Sequence, residues 1–110
     1  EGIDLEPEQT LAFVRIFQEA VSNAVRHGNA TEVQAQVCEK DGRIILDIQD
    51  NGSGFDAEVD HEVLRLEGHR GLANMTERMS LMGGRLEVRS RPGEGTRVLC
   101  LLPKGAVSPA

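Results

Sequence analysis

The chain of 110 residues has no tryptophan, no tyrosine and three phenylalanines. Its core must therefore be aliphatic, filled by Val, Leu, Ile and Met rather than by stacked rings. Lysine is nearly absent: Lys40 and Lys104 stand against ten arginines. Acids outnumber bases, giving a net charge of −6 and a pI near 5.0. That balance argues against nucleic acid as the main partner, because a phosphate backbone is bound by an excess of Lys and Arg. No apolar run approaches the length of a membrane span and no signal peptide is visible, so the expected setting is cytoplasmic, without direct membrane contact. Cysteine is scarce too. Cys38 and Cys100 lie in alternating apolar stretches and are expected to be two buried, reduced thiols rather than a disulfide or a metal site.

Several signatures are also missing. There is no G-x-x-x-x-G-K-[ST] phosphate loop, no G-x-S-x-G and no H-E-x-x-H, nor the Gly-rich loop with a strand lysine. What remains is enough for one domain: hydrophobic residues make up 39% and charged residues 27%. The domain is expected to span 1–103, followed by a disordered Gly/Ala/Ser/Pro tail at 104–110. A start at Glu1 rather than Met leads us to expect a segment of a longer protein.

Periodicity supplies the elements. Residues 7–27 form an amphipathic helix, with Pro7 in the first turn, Glu6 and Glu8 complementing the dipole, and Gly28-Asn29 as the stop. Phe13, Ile16, Phe17, Ala20 and Ala24 make its buried stripe. Val33, Ala35 and Val37 alternate with polar neighbours, Lys40-Asp41-Gly42 turns, and Ile44, Leu46 and Ile48 alternate again, so 32–49 is a hairpin. Asp50 then falls on the apolar side of its strand, where a carboxylate is costly without a partner. Periodicity fades from Asn51 to Arg70, and a loop that long is usually functional or mobile. A second helix runs from Gly71 to Met82, with Leu72, Met75, Met79 and Met82 on one face. Strands at 85–90 and 96–102 flank a turn at 91–95. Helix, hairpin, loop, helix, hairpin implies a two-layer sandwich with helices on one face of the sheet. The other face is partly solvated, with Arg43, Asp47, Glu87 and Arg89 at alternate positions.

Four segments carry chemistry. Glu19, Asn23 and His27 share one row at four-residue spacing, along the edge of the apolar stripe. The Asn23 amide oxygen is a hard ligand suited to Mg²⁺, Glu19 could orient a metal-bound water or act as base, and Arg26 or His27 could meet phosphate oxygens. On spacing alone, a solvated helix edge is the favoured account of these residues. Asp50-Asn51-Gly52-Ser53-Gly54 reads as a turn, as a poor match to a calcium loop, or as a carboxylate accepting from an exocyclic amine such as adenine's. In the last case Gly52 and Gly54 would let the backbone approach the base. Gly68-His69-Arg70-Gly71 precedes a helix and favours an anion, though weakly. Thr96 opens the last strand and its hydroxyl could support Asp50 through a water.

Together these segments resemble the catalytic ATP-binding domain of bacterial sensor histidine kinases, in the gyrase, Hsp90, histidine kinase and MutL superfamily. Glu19 to His27 resembles the N box and Asp50-x-Gly52-x-Gly54 the G1 box. Gly68-x-x-Gly71-Leu72-x-x-Met75-x-x-Arg78 resembles the G2 region, and Gly93-x-Gly95-Thr96 the box of the last hairpin. The Gly-His-x-Gly-Leu form and short lid look most like the nitrate-sensor subfamily. The resemblance implies an α+β fold, a mixed and mostly antiparallel sheet of five strands backed by three helices. The fifth strand would lie near 2–5, the third helix within 57–66 and an ATP lid at about 55–70.

The resemblance also implies roles: Asn23 on Mg²⁺ with Glu19 in support, Asp50 on the adenine amine, and Gly52, Gly54, Gly68, Gly71, Leu72 and Thr96 around the nucleotide. The phosphoacceptor histidine would belong to a separate dimerisation domain, with a response regulator as the indirect partner. His27, His61 and His69 fall in the N box and the lid, so the chain lacks its own acceptor and is expected to be a monomer that binds Mg-ATP without autophosphorylating. Two other readings stay open: a stand-alone anti-sigma-factor serine kinase of the same fold, and a non-catalytic interaction module.

Overall fold

A computed structural model describes residues 5–54 and 70–103. Helix α1 spans Pro7–Arg26, strands β1 and β2 span Val33–Lys40 and Arg43–Asp50, helix α2 spans Arg70–Leu81, and strands β3 and β4 span Arg85–Ser90 and Thr96–Pro103. The described strands form one antiparallel sheet in the order β1-β2-β4-β3. The fifth strand and third helix expected near 2–5 and 57–66 fall outside the described residues, apart from Leu5, which is in no strand. The tail and the lid lie outside them as well, apart from Arg70, which the expected lid included and which opens α2.

Each boundary has a local cause. At the start of α1, Glu6 caps the helix and Gln9 completes a capping box, its side chain accepting from the Glu6 N–H at 2.8 Å. At the end of α2 the backbone N–H of Gly84 donates to the Met79 carbonyl, a helix-terminating turn. Between β1 and β2 the chain reverses over Asp41 and Gly42, with φ of 55° and 75°, as a two-residue hairpin turn with two positive φ values requires.

The core lies between the helices and one face of the sheet. Ala12, Phe13, Ile16 and Ala20 of α1 meet Ile44, Leu46, Ile48, Val98, Cys100 and Leu102 of the two central strands, and Met75 and Met79 of α2 close the layer. With one ring among these residues, methionine's flexible thioether fills the gaps that aromatics would otherwise take. Phe17 is not in the core: it is 39% exposed. The buried line of α1 runs through Ala12, Phe13, Ile16, Ala20 and Ala24, and Phe17 stands at its margin.

The edge strand also departs from expectation. Ala35 and Val37 are exposed and only Val33 is half-buried, because β1 has a neighbour on one side among the described strands. Cys38 is exposed for the same reason, whereas Cys100 in central β4 is buried, and burial pushes its thiol up to about 12. One equivalent of a thiol reagent is therefore expected to react with the native chain at pH 8, and two after denaturation. Reaction of both thiols at equal rates in the native state would contradict this packing.

On the outer face of the sheet Asp47 is buried rather than solvated, at 5% exposure. Arg97 covers it with a bidentate pair, Nε to Oδ1 at 3.0 Å and Nη2 to Oδ2 at 2.7 Å. These hydrogen bonds hold the Asp47 carboxyl below its ordinary value, against the opposing effect of burial. A lowered folded-state pKa contributes stability above the unfolded value and loses it as pH falls through the folded one. Because Arg97 is itself 42% exposed, the pair is screened. Asp47→Asn is expected to cost about 1 kcal/mol at neutral pH. The deficit should shrink as pH drops below about 4, read from urea midpoints of both proteins.

Candidate nucleotide site

At one end of the sheet α1, β2, β4 and α2 enclose a cavity of 40 Å³. Ala20 and Ala24, one turn apart on the buried line of α1, leave the space, since no larger side chain fills it. Ile48, Met75 and Val98 wall it with buried apolar groups. Into this lining come Asn23 and His27 from α1, Asp50 from the end of β2, and Thr96 from β4. Asn23 and Asp50 thus share one chamber although twenty-seven residues separate them. Asn23 is half-buried, and its amide has no hydrogen-bond partner among the described residues.

Asp50 is held in place by its own loop. Its Oδ1 accepts from the Gly52 N–H at 2.8 Å, and no described residue donates to Oδ2. The carboxylate therefore keeps one committed oxygen and one available oxygen. Its backbone is fixed from both sides, pairing with Val33 of β1 and Thr96 of β4.

Gly52 and Gly54 let backbone approach backbone. A Cβ at Gly52 would stand 2.8 Å from the Gly28 carbonyl oxygen, and one at Gly54 would stand 2.2 Å from that of Arg91. Gly54 also has φ +70°, a conformation that side chains other than glycine's resist. Hydrogen bonds run through the same contacts: Ser53 N–H donates to Gly28 at 2.8 Å, and Gly93 N–H donates to the Ser53 carbonyl. The loop after β2 is thereby clamped between the end of α1 and the β3–β4 turn. Of the two glycines, Gly54 alone lines the cavity.

Other expected residues are distributed unevenly. Glu19 lies outside this cavity and lines a neighbouring recess with Arg15, Gln18, Asn74, Met75 and Arg78. Arg26 lines neither. Gly71 is in the first turn of α2, Leu72 follows it, and Gly68 lies outside the described residues. Thr96 is committed elsewhere: its hydroxyl is 2.9 Å from that of Ser90, which donates to the Gly95 carbonyl at 2.8 Å. Since Ser90 has one proton to give, Thr96 donates to Ser90 and offers the cavity only an acceptor.

Asn51 escaped the sequence reading as a site component. Its Oδ1 accepts from Thr31 and Glu32 N–H at 2.9 and 3.0 Å and its Nδ2 donates to the Thr31 hydroxyl at 2.9 Å, tying the approach to β1 onto the end of β2. The partners lie some twenty residues away, and a sequence pattern has no means of signalling that distance.

Comparison with known proteins agrees with this architecture. Residues 8–106 match the family model described as histidine kinase-, DNA gyrase B- and HSP90-like ATPase. The sensor protein VraS of Staphylococcus aureus is 43% identical over 84 residues, 76% of this chain and 23% of that protein. The signal transduction histidine-protein kinase/phosphatase DegS of Brevibacillus brevis is 33% identical over 93 residues, 84% of this chain and 23% of that protein. The chain thus spans about a quarter of the length of these relatives. Among solved structures, the ATP-binding domain of PrrB from Mycobacterium tuberculosis aligns with a TM-score of 0.66 at 31% identity, covering 94% of this chain and 68% of that one. The histidine kinase domain of the blue-light activated histidine kinase of Erythrobacter litoralis aligns at 0.73 and 22% identity, covering 94% and 48%, a likeness of fold. On the match across residues 8–106, the chain belongs to the family of histidine kinase-, DNA gyrase B- and HSP90-like ATPases.

Proposed function

We propose that this chain is the Mg-ATP-binding part of a two-component sensor histidine kinase, delivering the γ-phosphate to a histidine on a separate dimerisation domain. The observation that carries the reading is the shared chamber, in which the Oδ2 of Asp50 and the amide of Asn23, both without a partner among the described residues, line one apolar-walled space. An acceptor oxygen in apolar surroundings suits the exocyclic amine of adenine, and the flat aliphatic walls suit its ring. Seating a purine requires the chamber to widen beyond its 40 Å³, which flexible Met75 and exposed His27 permit. The Gly-His-x-Gly-Leu segment, residues 68–72, supports placing the parent in the nitrate-sensor subfamily, and the similarity to sensor proteins supports placing it among sensor kinases.

The residues also fit a magnesium ion held jointly with a nucleotide. Among the described residues no cluster of three His, Cys, Asp or Glu side chains could trap a metal unaided. The Asn23 amide oxygen would supply one hard ligand, with phosphates and water supplying the rest, an arrangement Mg²⁺ commonly takes. When bound, the ion supplies charge neutralisation at the phosphates. The chain's own part is positioning: Asp50 orients the base, Asn23 the phosphate end, and the start of α2 would turn its first N–H groups to an anion. Phosphoryl transfer then needs no covalent intermediate on this domain.

Calorimetric titration with Mg-ADP and Mg-ATP tests these roles. Asp50→Asn keeps an acceptor for the Gly52 N–H but turns an amide N–H toward the base amine, so its fold should persist while affinity falls at least about tenfold. Asn23→Ala should weaken only the magnesium-dependent part. Wild-type affinity in both variants would end this assignment. Incubation with γ-labelled ATP should leave no acid-labile phosphate on the chain, and labelling should appear on a supplied dimerisation domain. The serine-kinase reading is separated by whether the natural gene encodes a dimerisation hairpin upstream of this segment.

A further inference from the structure

Beyond Met75 the chamber gives way to a second recess, of 220 Å³, lined by Arg15, Gln18 and Glu19 of α1 and by Asn74, Met75 and Arg78 of α2. Met75 lines both spaces, so they adjoin across a single side chain. Their characters differ. The chamber is walled by alanine, isoleucine, valine and methionine, whereas every side chain of the recess other than Met75 is polar or charged.

Helix α1 orders the two. Residues 27, 23, 19 and 15 follow one row at four-residue steps, each about 6 Å further along the axis. His27 and Asn23 belong to the chamber, Glu19 and Arg15 to the recess. A ligand with its base at Asp50 and its phosphates at Asn23 meets Glu19 and Arg15 as it extends along that row.

Among the described residues the recess is cationic on an acidic chain: they bring to it two guanidinium groups and one carboxylate, while the whole chain carries −6. Neither Arg15 nor Arg78 forms an ion pair or hydrogen bond with any described residue, unlike Arg85, Arg89 and Arg97, which are each tied to a carboxylate. Arg15 also precedes Glu19 by four positions, the weaker order for a helical ion pair. Two uncommitted guanidiniums contributed by different helices to one recess are suited to phosphoryl oxygens, which they bind through paired N–H groups.

We infer that Arg78, aided by Arg15, holds the terminal phosphoryl group of the nucleotide and so makes the site prefer a triphosphate over a diphosphate. The inference rests on the nucleotide reading above and extends it to residues outside the chamber. Arg15, Gln18, Asn74 and Arg78 are exposed, so a phosphoryl group held there stays within reach of a second protein.

The test is a titration of the chain with Mg-ADP and with the non-hydrolysable β,γ-imido analogue of Mg-ATP. It compares wild type with Arg78→Ala, Arg78→Lys and Arg15→Ala, alongside urea midpoints. Arg78→Ala is expected to weaken the analogue about tenfold or more and the diphosphate about threefold or less. Arg78→Lys should recover part of the loss, Arg15→Ala should show a smaller loss in the same sense, and the midpoints should hold. Should Arg78→Ala unfold, the lysine and Arg15 variants carry the comparison. Equal weakening of both nucleotides, or of neither, would overturn the role of Arg78 and leave the nucleotide reading standing. Wild type binding neither nucleotide would overturn both.

Discussion

The site depends on backbone packed against backbone at the end of β2. Three segments distant in sequence meet there: the exit of α1, the loop after Asp50, and the turn between β3 and β4. They approach so closely that a Cβ at Gly52, Gly54 or Gly95 would stand 2.8, 2.2 or 2.2 Å from a carbonyl oxygen. Hydrogen bonds from Ser53 to Gly28 and from Gly93 to Ser53 join the same segments. Asp50 is thus fixed by its neighbours' main chain, which cannot change rotamer, and its position relative to α1 follows from that contact. A carboxylate anchored in this way would lose little conformational entropy in the proposed contact with a ligand.

The core serves the same end by different means. Among the described residues it contains a single ring, Phe13, and closes with methionines. One of them, Met75, is both a fully packed core residue and the partition between the apolar chamber and the cationic recess. Stability and site shape are therefore coupled through one thioether. The opposite face of the sheet is organised separately, with Asp47 held under Arg97 and Glu87 shared between Arg85 and Arg89.

Where the sequence was legible, the signal was local. Pro7 and Asp41-Gly42 marked boundaries because each imposes a backbone geometry on its own position, and Ile44, Leu46 and Ile48 marked the second strand of a hairpin, whose central place in the sheet came only with the structure. The failures share a cause. Phe17 lies at the margin of a helical stripe, where tertiary packing decides burial. Ala35, Val37 and Cys38 alternate correctly but sit on a strand at the edge of the described sheet, with none of the described residues covering them. Asp47 reads as solvated until Arg97, fifty residues later, is placed on it. For the site, four-residue spacing put Glu19, Asn23 and His27 in a row, yet spacing alone did not divide that row between two spaces. Nor did it show that the glycines after Asp50 make room for main chain.

The division of labour within the Asp50 carboxylate carries a consequence for base selectivity. With Oδ1 engaged by Gly52, the single remaining oxygen can only accept a proton. A purine bearing an oxo group at the corresponding ring position, as guanine does, would set lone pair against lone pair beside apolar walls, a costly mismatch. In the proposed role, one hydrogen bond whose direction is fixed by a glycine N–H two residues away separates adenine from guanine.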